Sequence, residues 1–270
     1  MTASRFSLSA LVAALAVALL AAGCATTPEP DSVALPYVRS FSWNTPGDVA
    51  PAGWKPWTFA RFKRPTEYRL IDVDGKTVIR ARATDAASGL VHPVNIDPTE
   101  FPYLHWHWRV NELIAKADNT KRATEDAPAR LVVSFAGDIS SLPMDEQAFF
   151  GNVRLVSGQQ LPYATLMYIW ENRVPRGNVI PNAHTSRIKM IVAESGSEKL
   201  GAWQEVTRNV YNDFRRAFGE EPGRIIAIGI MTDTDNTREN ASAYYGDIRF
   251  LRQRVQPPVV PATIDIPTPP

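Results

Sequence analysis

The stretch Tyr103-Leu-His-Trp-His-Trp-Arg-Val110 alternates strictly between two kinds of side chain. In an extended chain, successive side chains point to opposite faces. Leu104, Trp106, Trp108 and Val110 therefore share one face, and His105, His107 and Arg109 share the other. The first set is large and apolar, so it is predicted to face a core. The second set then lines the other side of the same sheet, solvated, covered by a loop or set in a groove.

The rest of the chain repeats this pattern in short pieces. Residues 69–83 read as a hairpin turning at Asp74-Gly75. Further strands are predicted over 129–137, 163–171, 186–194, 223–235 and 243–252. Two helices are expected: 143–158, opened by Pro143 and early acids, and 207–219, with Val210, Phe214 and Ala217 or Phe218 on one face and Gly219 as its stop. Short strands without regular intervening helices predict a mainly β chain, an antiparallel β-sandwich of jelly-roll, galactose-binding-like or concanavalin-like type, rather than a βαβ fold.

The ends carry a different message. Arg5 and the apolar run Leu8 to Ala22 suit a signal peptide and are short for a membrane span. Leu20-Ala-Ala-Gly-Cys24 resembles a bacterial lipobox, although Ala21 stands where leucine is usual. Cys24 is the sole cysteine of 270 residues, so no disulfide within the chain can hold the domain together. The expected organisation is a signal peptide over 1–23, lipidation at Cys24, a flexible tether over 24–34, one domain over 35–255 and a Pro-rich disordered tail over 256–270. Ala25 after the cysteine gives no aspartate signal for inner-membrane retention, so an outer-membrane lipoprotein facing the periplasm is expected. Loss of Arg5 with the leader takes the 29 Lys and Arg to 28, equal to the 28 Asp and Glu. This balance gives no electrostatic case for nucleic acid.

Candidate site residues fall in two places. His105-x-His107 followed by Glu112 has the spacing of a cupin-type first metal motif, but the flanking glycines are absent and the surroundings of His184 do not supply the second motif. The stretch Met231-Thr-Asp-Thr-Asp-Asn-Thr237 lacks the Gly and Glu of an EF-hand and leaves a loop calcium site as the sole cofactor suggested. Ile226, Ile228 and Ile230 are read as the core set of this strand, with Asp233 and Asp235 on the opposite set. These observations predict one polar sheet face carrying His105, His107, Arg109 and Arg130, with Asp126, Asp233 and Asp235 beside it and Trp170 as a possible aromatic platform. This face reads either as a structural ion-pair lattice or as a carbohydrate groove.

The ordered runs "YLHWHWRV", "ADNTKRATEDAPARLVVSF", "YIWE", "RIKMIVAESG", "LGAWQEVTRNVYNDFRRAFGEEP" and "GIMTDTDNTRENASAYYGDIRF" resemble the bacterial domain-of-unknown-function 3047 family over about 35–252. The resemblance implies a secreted single β-sandwich domain and carries no established activity or catalytic residue. It strengthens the grouping of Asp126, Arg130, Asp233 and Asp235. The functional expectation is a non-catalytic binding module for carbohydrate or cell-envelope glycan. The alternatives are a glycan-active lyase or hydrolase using the same face, or a structural, protein-interaction lipoprotein. No Gly-x-Ser-x-Gly nucleophile motif occurs, and the Glu-x-Asp-x-x-Glu of a laminarinase-type sandwich hydrolase is absent, Asp233-Thr-Asp235 being the nearest approach without a partner glutamate.

Overall fold

Trp106 and Trp108 are completely buried, so the alternation of the opening stretch does set the fold. This is seen in a computed structural model that describes residues 36–47, 50–58 and 63–255. The proposed leader, tether and Pro-rich tail lie outside the described residues. Among the described residues, no helix is long and apolar enough to cross a membrane.

The strands are β1 Lys55–Thr58, β2 Glu67–Val73, β3 Lys76–Thr84, β4 Ala87–Ile96, β5 Tyr103–Val110, β6 Ala127–Phe135, β7 Ala164–Glu171, β8 Val179–Pro181, β9 Ile188–Ser195, β10 Gln204–Asn209, β11 Ile225–Asp233 and β12 Asn240–Leu251. They form two sheets. One has seven strands in the order β1-β4-β11-β6-β7-β9-β8, and the other has five in the order β10-β5-β12-β3-β2. The expected sandwich is present, with one correction: β7 and β9 run parallel, because β8 intervenes and pairs antiparallel to β9 on the far side.

The core lies between the sheets. Leu104, Trp106, Trp108 and Val110 of β5 meet Leu166, Tyr168 and Trp170 of β7, together with Leu131 and Val133 of β6. Trp106 lies 5.2 Å from Tyr168, and Trp108 lies 6.2 Å from Trp170, ring centre to ring centre. Such aromatic contacts across two sheets bury large areas and add specific ring–ring attraction. The indole N–H groups of Trp106 and Trp108 have no hydrogen-bond acceptor, so this part of the core rests on packing alone.

The helices are α1 Met144–Ser157 and α2 Val210–Phe218. In α2, the Asn209 side chain accepts from the Asn212 amide, and Gly219 ends the helix in a left-handed conformation. Val210 and Phe214 are buried, and Phe214 stacks 4.5 Å from Phe135 of β6. The predicted helix over 207–219 began too early. Residues 207–209 belong to β10, which pairs with β5.

Candidate functional site

The predicted single polar face is divided between two sheets. His105, His107 and Arg109 lie on β5 of the five-stranded sheet, whereas Arg130 and Asp233 lie on β6 and β11 of the seven-stranded sheet. Each set points away from the shared core, so the two clusters occupy opposite outer faces. Local alternation was correctly read in β5, but it carries no information on which strands become neighbours.

On the seven-stranded sheet, Arg130 is fully buried and closely bound. Its Nε donates to Asp233 Oδ1 at 2.8 Å, and its Nη2 donates to Asp233 Oδ2 at 3.2 Å and to the Glu125 carbonyl at 2.9 Å. Nη2 also reaches Asn119 Oδ1 at 3.3 Å, and Nη1 reaches Met190 Sδ at 3.2 Å. Asp126 is buried and accepts from the Thr237 amide and hydroxyl, each at 2.7 Å, and from the Asn236 amide at 3.2 Å. Asp235 pairs with Lys63 at 2.5 Å. Burial pushes the Asp233 carboxyl up to about 6, against the downward pull of Arg130. The three aspartates do come together, with oxygens within 4.8 Å of one another. Protein donors already engage both oxygens of Asp126 and of Asp233 and one oxygen of Asp235, which favours a structural network, although Arg130, Asp233 and Asp235 also line a pocket of about 290 Å³. The Ile226 assignment is also corrected. A bulge between Ile225 and Ala227 shifts the register, so Ile225 enters the core and Ile226 stands exposed.

On the five-stranded sheet, β10 pairs with β5 so that Thr207 lies opposite His105 and Glu205 opposite His107. His105 Nδ1 sits 3.0 Å from the Thr207 hydroxyl. Its Nε2 lies 3.6 Å from Glu205 Oε1, and His107 Nε2 lies 3.9 Å from Glu205 Oε2. Burial, helped by the neighbouring His107, lowers the His105 pKa and favours its neutral form. The acid that joins the pair is Glu205 of β10, not Glu112 as the cupin-like spacing suggested. Arg109 stacks 4.1 Å over Tyr244 and 5.3 Å from Trp203, while its buried Nε has no hydrogen-bond partner.

Beside this cluster opens a groove of about 560 Å³, lined in part by His107, Trp203, Gly246, Asp247, Arg249 and Lys76. Asp247 accepts from the Ser42 amide and hydroxyl at 3.0 and 2.6 Å, and lies 3.7 Å from Arg249. Gly246 permits the close approach of β12, since a methyl group there would stand 3.1 Å from His107 Cβ.

Trp170 is corrected from platform to core. It is 1% exposed, and its indole N–H donates to the Gly196 carbonyl at 3.1 Å. The half-buried aromatic at the groove is Trp203. Sequence reasoning missed Trp203, Glu205 and Thr207 because "WQEVTRN" offers a single inward apolar residue, Val206, too few to mark a strand.

A family model described as "Protein of unknown function (DUF3047)" matches residues 52–249. The chain belongs to the DUF3047 family. His105, His107, Glu205, Arg130, Asp126, Asp233 and Asp235 of this DUF3047 chain all fall within the matched region. No curated protein matches it in sequence. Among solved structures, it is similar to the glycoside hydrolase domain of Endo-D from Streptococcus pneumoniae R6, with 8% identity and a TM-score of 0.32, over 76% of this chain and 22% of that one. It is also similar to the cellulose-induced protein Cip1, with 11% identity and a TM-score of 0.34, over 78% of this chain and 99% of that one. The DUF3047 chain thus spans about a fifth of the Endo-D structure.

Proposed function

We propose that this chain is a non-catalytic binding module for carbohydrate or cell-envelope glycan, held at the outer membrane, facing the periplasm, by a lipid on Cys24. The observation that carries the reading is the open groove on the five-stranded sheet, where half-buried Trp203 stands beside the charged pair Asp247–Arg249. Binding pockets combine apolar surface with a few placed polar groups that fix orientation. A sugar presents both a C–H face for an aromatic ring and hydroxyls for carboxylate and guanidinium. Arg109, buttressed between Trp203 and Tyr244, stiffens the aromatic edge of the groove.

A glycan array probed with the full-length protein tests this. The expected result is retention of a defined glycan class, with affinity reduced about tenfold or more in Trp203→Ala, equivalent to losing one well-packed aromatic contact. An array without any retained glycan, or retention unaffected by Trp203→Ala, overturns the reading. Cys24→Ser is expected to move the protein from the membrane fraction to the periplasmic soluble fraction.

A further inference from the structure

We propose that His105, His107 and Glu205 form a three-ligand site for a divalent transition-metal ion of the zinc type, with a fourth position open to solvent. This goes beyond the glycan reading and does not depend on it. Nothing in the family description assigns a metal to these residues.

The argument begins with register. Two histidines two apart on β5 must project from one face, and pairing with β10 brings Glu205 directly opposite His107 on that same face. One ring nitrogen from each imidazole and one Glu205 oxygen converge, all three within 4.8 Å of one another. The separations of 3.6 and 3.9 Å between nitrogen and oxygen exceed a hydrogen bond. They lie just outside the edge of a tetrahedral zinc site, where ligands about 2.0–2.1 Å from the ion stand roughly 3.3 Å apart. Rotation of the exposed Glu205 side chain shortens these separations without moving either strand, and the half-buried His107 ring, edge to face with His105 at 4.9 Å between centres, turns toward the same ion.

The outer partners also suit a metal. His105 Nδ1 is engaged by the Thr207 hydroxyl, which orients the ring and leaves Nε2 aimed at Glu205. Metal-bound histidines typically hold their second nitrogen in this way. Two imidazoles and one carboxylate form a donor set that zinc accepts while keeping a position for water or another ligand. The burial is graded: His105 is buried, His107 is half-buried and Glu205 is exposed. The open position therefore lies toward solvent, on the side where His107 borders the groove. Arg249 stands opposite His105 in the register and opposes a cation, but Asp247 lies 3.7 Å from its guanidinium and offsets that charge.

The test uses untagged full-length protein, stripped with chelator and titrated with Zn²⁺ in competition with a chromophoric chelator, without sugar. One strong equivalent is expected, accompanied by a rise in melting temperature. Because His107 and Glu205 are accessible, His107→Gln and Glu205→Gln should stay folded by circular dichroism while each weakens that equivalent at least about tenfold. Thr207→Val should weaken it by a similar or smaller factor through loss of ring orientation. His184→Gln, at an exposed histidine in the loop between β8 and β9 of the other sheet, should leave it unchanged. Absence of a strong equivalent, or one that survives in the His107→Gln, Glu205→Gln double variant, overturns the proposal. Neither outcome bears on glycan retention, which is read separately on the array.

Discussion

The two outer faces of the sandwich use much the same side chains to opposite ends. On the seven-stranded sheet, Arg130 and three aspartates are buried or half-buried, and protein partners engage every one of these charges. On the five-stranded sheet, the His105 and His107 Nε2 atoms stop short of Glu205, and Arg109 has a buried Nε without a partner. A buried charge with all its partners in place is committed to the fold, and removing one partner leaves the other stranded at high cost. Groups whose partners are incomplete and which border an open groove keep their hydrogen-bonding capacity for something else. The contrast teaches that the type of charge cluster says little about role, whereas the completeness of its partners says much.

That contrast can be broken most decisively at Arg130. Arg130→Ala strands the buried Asp233 carboxylate and should cost about 3–5 kcal/mol in urea unfolding. A loss below about 1 kcal/mol would make the seven-stranded face as uncommitted as its counterpart. A pH series sharpens the same point. Asp233 in the fold titrates at about 6, raised by burial from an ordinary 3.8. The folded protein therefore holds a proton that the unfolded chain has already released between those values. This contribution is complete below the unfolded value and lost as pH rises through the folded one. The stability of wild type minus that of Asp233→Asn should thus fall by up to about 3 kcal/mol from about pH 4 to about pH 7. Urea midpoints at several pH values measure it, and a flat difference would return Asp233 to the ordinary carboxylate range. The smallest effect belongs to the other face: His107→Ala should change stability by no more than about 0.5 kcal/mol. A large loss there would mean that this cluster, too, serves the fold.

Much of the architecture was legible because strand alternation is a local property. "YLHWHWRV" declared its core face, and Asp74-Gly75 declared its hairpin, with β2 and β3 pairing across it as expected. The grouping of Asp126, Arg130, Asp233 and Asp235 was also legible from ordered motifs. The failures share a physical origin. Trp170 looked available because aromatic residues read alike whether they fill a core or line a groove, and only its packing on Trp108 decides between the two. Ile226 was assigned inward because a bulge is an extra residue that no period of two reveals. Glu205 escaped notice because its strand has one inward apolar residue, and its significance comes entirely from what lies across from it.

By itself, the sequence determined which residues of a bulge-free strand such as β5 share a face, since that follows from backbone geometry a few residues at a time. It also determined that the fold must stand on a hydrophobic core, since a lone cysteine can form no internal cross-link. Only the tertiary structure decided that His105 and Arg130 lie on different sheets, that Glu205 faces His107, and that Trp203 rather than Trp170 borders the groove. Those are pairings between residues distant in sequence, selected by how two sheets bury their apolar faces together, and no local pattern encodes them.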